Sequence, residues 1–195
     1  MAPCDHVLQI YENDDAFLEL LMNFVGEGIN SDESVIVIAT DVHLKGLEFK
    51  LASHGLNVES LVSNHQYFPL NAEEILSKFM RSGWPDEELF MTVVTDLIKK
   101  AKAGDKKVRA FGEMVAILWA EGNSGATVNL EHLWNKLCQK EVFCLFCAYP
   151  KSGFTQGNEA SMQHICDSHT RMVKGKPDSK DEILYKTIQS AKISA

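Results

Sequence analysis

Short, almost uninterrupted apolar runs alternate along the chain with longer segments in which apolar residues recur every three or four positions. The clearest runs are Ser34–Thr40 and Val142–Tyr149, and both are typical of strands that are covered on both faces of a sheet. Weaker runs at His6–Tyr11, Tyr67–Leu70 and Lys107–Phe111 predict three more strands, with Tyr67–Leu70 at an edge of the sheet.

Helical periodicity fills the segments between these strands. One apolar helix face follows an N-cap at Asp14 or Asp15, and a second contains Leu44, Leu47 and Leu51. The regular alternation of strand and helix predicts an α/β fold of three layers, in which a mostly parallel sheet has helices on both faces. The remaining predicted helices cover Ala72–Arg81, Phe90–Ala101, Met114–Glu121, Leu130–Cys138 and Met162–Val173.

A change of composition near the carboxyl end predicts the domain boundary. Residues 1–173 form one predicted domain, and Lys174–Lys180 is a polar linker. Asp181–Ala195 then predicts a short amphipathic helix, so that residues 174–195 are expected to be a linker and a tail. The pattern leaves open whether this segment is a true tail or a connector to another region.

Composition and charge exclude several classes of protein. The chain has 195 residues, of which 45% are apolar and 24% charged, and its formal net charge is −8. An acidic chain has no basic footprint for nucleic acid, and no apolar run reaches the ~18 residues of a membrane span. The start of the chain has no basic segment followed by an apolar core, so we expect a cytoplasmic protein. The five cysteines are then expected to be free thiols.

Polar side chains stand where the predicted strands end. Ligands of open α/β sheets bind outside the carboxyl ends of the strands, and the residues predicted there are Tyr11, Asp41, Glu113 and Tyr149. Two hydroxyls and two carboxylates suit a small polar or amphipathic ligand, although single strand-end residues of these types are commonly caps. Glu113 follows Gly112 and precedes an apolar helix, so a pocket acid and a helix cap are equally good interpretations.

Glu131 and His169 have two interpretations each. Glu131 is predicted to open the helix that contains Leu133 and Trp134, where it is either a pocket residue or an ordinary first-turn acid. His169 lies on the apolar face of its predicted helix, where a histidine is usually a hydrogen-bonded core residue, but its place after the last predicted strand also fits a pocket.

Two cofactor motifs were tested against the sequence and neither is supported. The loop Tyr11–Asp15 occupies the place of a phosphate loop but has no glycine and no lysine, so ATP hydrolysis is not expected. The spacing of Cys144, Cys147, Cys166 and His169 resembles that of a zinc site. However, positions 144 and 147 of one strand face opposite sides of the sheet, which favours core thiols. We therefore expect neither a metal nor a cofactor.

Several segments, in the correct order, resemble the MEDS family, the methanogen/methylotroph DcmR-type sensory domains. The most telling are Val108–Gly122, which contains Arg-Ala-Phe-Gly-Glu-Met, and Cys147-Ala-Tyr-Pro150. The resemblance covers residues 6–173 and implies a RecA/KaiC-like fold that lacks the phosphate loop. It also implies that the domain senses small molecules, with simple hydrocarbon derivatives as the ligands. By motif match it implies six ligand-binding positions: His6, Tyr11, Glu113, Glu131, Tyr149 and His169.

The residues and the resemblance together predict a non-catalytic, cytoplasmic sensory domain. A small molecule would shift the population of conformations, and a histidine kinase or transcription regulator would read the change. We expect no direct contact with nucleic acid or membrane, and the sequence leaves the oligomeric state open. Two alternatives remain: an enzyme with Glu113 as general base, and a ligand-free scaffold derived from a degenerate ATPase. A cavity of a few hundred Å³ with convergent polar groups would favour the sensor.

Overall fold

Six parallel strands form the central sheet of the computed structural model, which describes residues 5–151 and 159–174. In chain order these strands are β1 (His6–Tyr11), β2 (Ser34–Ala39), β3 (Tyr67–Asn71), β6 (Val108–Gly112), β7 (Cys144–Pro150) and β8 (Arg171–Lys174). Their order across the sheet is β3-β2-β6-β7-β1-β8. Two short strands, β4 (Met80–Arg81) and β5 (Trp84–Pro85), form a separate antiparallel hairpin.

Helices cover both faces of this sheet. Those on the first face are α1 (Asp14–Asn30), α2 (Asp41–Ser53) and α3 (Val58–Ser63). Those on the second face are α4 (Ala72–Phe79), α5 (Glu87–Ala101), α6 (Met114–Ala120), α7 (Ser124–Lys140) and α8 (Glu159–Asp167). The three-layer α/β fold with a parallel sheet, predicted from the sequence, is confirmed.

Two apolar cores fill the spaces between the layers, because successive side chains of a strand point to opposite faces. In β7, Phe146 and Ala148 belong to the core under α1, whereas Leu145, Cys147 and Tyr149 belong to the core under α7. The same alternation in β1 separates Val7 from Leu8. His6 is therefore on the α7 side, two residues before Leu8.

Two predicted helices are shorter in the structure than in the sequence analysis. The helix predicted over Ala72–Arg81 ends at Phe79, because a turn with positive φ at Ser82 and Gly83 folds the next residues into the β4-β5 hairpin. The helix predicted over Met162–Val173 ends at Asp167, and residues 171–174 form β8.

Thr170 explains why the chain leaves the helix to form β8. Its backbone N–H donates to the carbonyl of His6 at 2.8 Å, and its hydroxyl accepts from the N–H of His6 at 2.9 Å. These bonds align β8 with the open edge of β1, where pairing satisfies backbone groups that a longer helix would leave exposed. The apolar residues of β8 fit a strand as well as a helical stripe, which is why the periodicity was misleading.

Gly28 and Gly26 of α1 should respond oppositely to alanine. A Cβ at Gly28 would lie 2.6 Å from Cγ2 of Val35 and 2.7 Å from Cδ of Arg109, whereas a Cβ at Gly26 meets nothing within 4 Å. Gly28→Ala should therefore lower the free energy of unfolding by about 1–3 kcal/mol through overpacking. Gly26→Ala should raise it by about 0.5–1 kcal/mol through better helix propensity. Urea denaturation measures the free energy of unfolding of both variants. A change in the same direction for Gly28→Ala and Gly26→Ala would contradict the packing of α1 described here.

Within residues 5–151 and 159–174, none of the helices has the length and the apolar run that crossing a bilayer requires. The predicted tail, apart from Lys174, lies outside the described residues, and so does Cys4. The boundary between domain and tail therefore stays a prediction.

Candidate functional site

The structure divides the seven predicted site residues between the two faces of the sheet. His6, Glu131, Tyr149 and His169 meet on the α7 side, where each side chain is buried. Tyr11, Asp41 and Glu113 lie on the α1 side, near the carboxyl ends of β1, β2 and β6. The mixed set of strand-end residues predicted from the sequence is thus not one group, because Tyr11 and Tyr149 face opposite cores.

Four of the described residues offer metal-binding atoms that lie within 4.8 Å of one another: His6, Glu131, Cys147 and His169. We call these four residues the His-Glu-Cys cluster. They come from the start of β1, the middle of α7, the middle of β7 and the turn before β8. The cluster joins residues far apart in the chain, because β1 lies between β7 and β8 in the sheet and Glu131 of α7 reaches His6 of β1 and Tyr149 of β7.

The distances within the cluster are those of atoms in van der Waals or hydrogen-bond contact. Nε2 of His6 lies 3.4 Å from Sγ of Cys147 and 3.5 Å from Oε2 of Glu131. Nε2 of His169 lies 3.6 Å from the same Oε2. The two imidazole rings are close neighbours, with centroids 3.9 Å apart.

Hydrogen bonds at the outer side of the cluster fix the orientation of three of its side chains. Nδ1 of His6 lies 2.9 Å from Oδ1 of Asn135, and Nδ1 of His169 lies 2.6 Å from the carbonyl oxygen of Ile165. The hydroxyl of Tyr149 donates to Oε1 of Glu131 at 2.6 Å. Because a carbonyl oxygen only accepts, the proton of a neutral His169 is on Nδ1, and its Nε2 presents a lone pair to the cluster.

Burial favours the uncharged form of every group in the cluster. It lowers the pKa of His6 to about 4, despite opposing hydrogen bonds to Asn135 and Ser168. Burial, helped by the neighbouring His6, also holds the pKa of His169 well below its ordinary value. Burial raises the pKa of Glu131 to about 8, against the effect of the Tyr149 hydrogen bond.

Glu131 is not the first-turn acid that the sequence suggested as one alternative. Helix α7 begins at Ser124, and the side chain of Asn123 caps it by accepting from the N–H of Ala126 at 3.2 Å. Glu131 therefore lies in the second turn after the cap region and is completely buried. The apolar stripe suggested a later start, because the first turn of α7 contains Gly125 and few apolar residues.

A groove of about 730 Å³ opens beside the cluster, between α7 and α8. We call it the α7/α8 groove. It lies at the amino ends of β1 and β8, whereas the sequence placed a pocket at the carboxyl ends of the strands. Its lining residues are mostly polar and include two cluster histidines: His6, His132, Asn135, Cys138, Gln139, His164, Asp167, Ser168, His169 and Thr170.

Glu113 forms hydrogen bonds with both of its carboxylate oxygens. Oε2 accepts from the backbone N–H of Thr40 at 2.8 Å, and Oε1 lies 2.7 Å from Nδ1 of His43, which donates to it. Its side chain makes no capping bond to its own helix, α6. Glu113 thus connects the end of β6 to the first turn of α2, and sequence analysis did not identify His43 as its partner.

The other two residues on the α1 side are unlike each other. Tyr11 is buried, its ring stacks on Phe17 at 4.8 Å, and burial together with the charge of Glu113 raises the pKa of its hydroxyl. Asp41 is exposed and accepts from the amide of Asn71 at 2.7 Å.

The position of a phosphate loop is occupied by acidic and capping side chains. The side chain of Asn13 accepts from the N–H of Ala16 at 3.0 Å, and Asp14 and Asp15 form the first turn of α1. Two carboxylates at this helix terminus would repel a phosphate, and the absence of ATP hydrolysis stays a prediction.

The cysteine spacing considered in the sequence does not form a unit. Cys144 faces away from Cys147, and a cavity of about 340 Å³ beside Arg109 is lined by Cys144 at the amino end of β7. The four cysteines of the described residues form no disulfide with one another. Two members of that spacing, Cys147 and His169, do come together, but in the cluster with His6 and Glu131 and without Cys144 or Cys166.

Comparisons with known proteins identify a family and a fold. The sequence model of the MEDS family, described as a methanogen/methylotroph, DcmR sensory domain, matches residues 5–170. A search of curated proteins finds no match. A solved protein of Pyrococcus horikoshii OT3, described only as the subject of a structural study, has a similar structure with a TM-score of 0.63. It is 15% identical, and the alignment covers 96% of this chain and 93% of that one, so the likeness concerns the fold alone.

Proposed function

The chain belongs to the MEDS family of sensory domains, and on that premise we propose that it senses a small molecule bound in the α7/α8 groove. The observation that carries the proposal is the groove itself, because it is large enough for a small organic molecule and is lined by convergent polar groups. The general rule for parallel sheets favoured the carboxyl ends of the strands, but there Glu113 already uses both oxygens in bonds within the protein.

The lining of the groove indicates the chemistry of the ligand. His132 and Asn135 of α7 face His164 and Asp167 of α8, so hydrogen-bond donors and acceptors are present on both walls. Such walls suit a small molecule with one or two polar groups, for example an alcohol, a carboxylate or an amine. This is the class of simple hydrocarbon derivatives that the sequence resemblance implies.

The groove is also well placed for passing on a signal. A ligand that bridges α7 and α8 would stabilise one position of α8, and the turn after α8 leads through Thr170 directly into β8. Because β8 pairs with β1 alone among the described strands, it is an edge strand of this sheet, and we infer that it can shift without disturbing the centre of the sheet. The ligand would thus act by population shift, with β8 as the element that responds.

The groove favours a sensor over the two alternatives considered from the sequence. A ligand-free scaffold gives no reason for a groove of this size with polar side chains on both walls. An enzyme with Glu113 as base needs a carboxylate that can reach a substrate proton, whereas Thr40 and His43 occupy both of its oxygens. The output partner, a histidine kinase or a transcription regulator, and the cytoplasmic location stay predictions.

Nuclear magnetic resonance titration tests the proposal. We expect at least one compound among one- and two-carbon alcohols, carboxylates, aldehydes and amines to cause saturable shifts in backbone signals of α7 and α8. His132→Ala or His164→Ala should weaken that binding about 2- to 10-fold through loss of a hydrogen bond. His54→Ala, an exposed histidine on the other face, should leave it unchanged. Shifts centred on Tyr11 and Glu113, or no saturable shift, would contradict the proposal.

A further inference from the structure

We propose that His6, Glu131, Cys147 and His169 form a binding site for one divalent transition-metal ion, with zinc as the preferred ion. The family match assigns no such site, and the site shares only Cys147 and His169 with the cysteine spacing that the sequence analysis rejected. The proposal also replaces our expectation that the chain holds no metal. It does not depend on small-molecule binding in the α7/α8 groove, so each can fail without the other.

The distances in the cluster match those of a tetrahedral zinc site. Zinc binds imidazole nitrogen and carboxylate oxygen at about 2.0–2.2 Å and thiolate sulfur at about 2.3 Å, which separates neighbouring ligand atoms by about 3.3–3.7 Å. Three of the six separations among the ligand atoms are 3.4, 3.5 and 3.6 Å, and all six are within 4.8 Å. These three pairs of atoms already have the separation that two ligands of one tetrahedral ion require.

The atoms that face one another in the cluster are all potential ligands. Nδ1 of His6 and Nδ1 of His169 are turned outward to Asn135 and to the carbonyl of Ile165, so both Nε2 atoms point inward. Oε1 of Glu131 is held by Tyr149, which leaves Oε2 for the ion. Outer hydrogen bonds of this kind orient histidine and carboxylate ligands in known metal sites.

Two of these inward atoms are buried without a hydrogen bond. Oε2 of Glu131 and Nε2 of His169 have no hydrogen-bond partner, although both residues are almost or completely buried. Leaving a buried polar atom unsatisfied is costly, and few such atoms occur in native proteins. A cation at the centre of the cluster would satisfy both atoms at once.

The charges of the cluster also suit a divalent ion. A thiolate at Cys147 and a carboxylate at Glu131 would neutralise a charge of +2, so the buried site would carry no net charge. Nitrogen, sulfur and oxygen ligands in a tetrahedral arrangement are typical of zinc, whereas magnesium and calcium need more oxygen ligands. His6 and His169 line the α7/α8 groove, which gives an ion a route from solvent.

Zinc and cobalt binding to the complete chain tests this proposal. After treatment with a chelator, the protein should take up about one zinc per chain in competition with a chromophoric chelator. Cobalt should replace zinc and show absorption from thiolate-to-cobalt charge transfer and from tetrahedral coordination. These measurements need no variant, and a protein that takes up no ion, or that shows no thiolate absorption with cobalt, would overturn the proposal.

Two cysteines of β7 provide a matched pair of variants. Cys147→Ser should abolish the thiolate absorption. It should also weaken zinc binding by more than 100-fold, because loss of an outer hydrogen-bond partner alone weakens metal binding roughly 10- to 100-fold. Asn135→Ala, which removes such a partner of His6, should weaken zinc binding within that range and keep the absorption. Cys144→Ser, on the opposite face of the strand, should behave like the unmodified chain. Circular dichroism should show that each variant is folded. If the two folded cysteine variants lose zinc affinity equally, the proposal is overturned.

Discussion

Replacing Trp134 by alanine should lower the free energy of unfolding by about 3–5 kcal/mol, the range found for the largest buried aromatic side chains. The side chain is completely buried, and its ring meets the ring of Phe90 edge-on with centroids 5.2 Å apart. Its six-membered ring also packs against Gly112, at whose α-carbon an added Cβ would lie 3.4 Å from the tryptophan. Loss of this ring would leave a cavity between α7, α5 and β6.

Urea denaturation, followed by circular dichroism, measures the effect. Trp134→Phe should cost less than alanine, because it keeps most of the apolar contact and removes an indole N–H that has no hydrogen-bond partner. Phe49→Ala is the matched control, since this aromatic side chain is 76% exposed and should change stability by no more than about 0.5 kcal/mol. Similar losses for Trp134→Ala and Phe49→Ala would contradict the packing of α7 described here.

Replacing Glu113 by alanine should lower the free energy of unfolding by about 3 kcal/mol in weakly acidic solution. The substitution removes one partner of a nearly buried ion pair, and the loss of one partner is more costly than the loss of both. It leaves the ring of His43 and the N–H of Thr40 without their acceptor. A double substitution that also changes His43→Leu should recover part of the loss.

The cost of Glu113→Ala should depend on pH. Burial alone lowers the pKa of His43, but the hydrogen bond and charge of Glu113, with the charge of Asp14, outweigh burial and raise the pKa above 6.5. Because the pKa of His43 is higher in the folded state, its ion pair with Glu113 stabilises the fold fully at pH values below 6.5, the pKa of an unperturbed histidine. This stabilisation is lost as the pH rises through the folded-state pKa. The difference in stability between the unmodified chain and Glu113→Ala should therefore shrink with rising pH, and a constant difference would contradict this linkage.

The elements of the fold could be predicted from local patterns. Buried strands such as β2 and β7 are short apolar runs without the three- or four-residue spacing of an amphipathic helix. Polar residues at their ends mark where they begin and end. The pattern failed where local preferences were ambiguous. The residues of β8 satisfy both periodicities, and only pairing with His6 through Thr170 decides between them.

The His-Glu-Cys cluster could be predicted only in part. The resemblance to the family indicated His6, Glu131 and His169, but it gave no reason to place them together. Periodicity tells which face of a strand a residue occupies, and it does not tell which strands are neighbours. Cys147 was interpreted as a core thiol because it was compared with Cys144, its neighbour in sequence. Its partner His6 is 141 positions away and becomes a neighbour only because β1 enters the sheet beside β7.

The position of β1 has a consequence for the order in which the chain folds during synthesis. Among the described strands, β1 is the first to leave the ribosome, yet it pairs with β7 and β8, the last two of them. The strands β2, β3 and β6 pair with one another and can assemble earlier. The backbone of β1 stays unpaired until β7, which begins at Cys144, has left the ribosome. Such non-local pairing slows folding and exposes a strand edge to association with other chains. We therefore expect the nascent chain to be most prone to aggregation before β7 is complete.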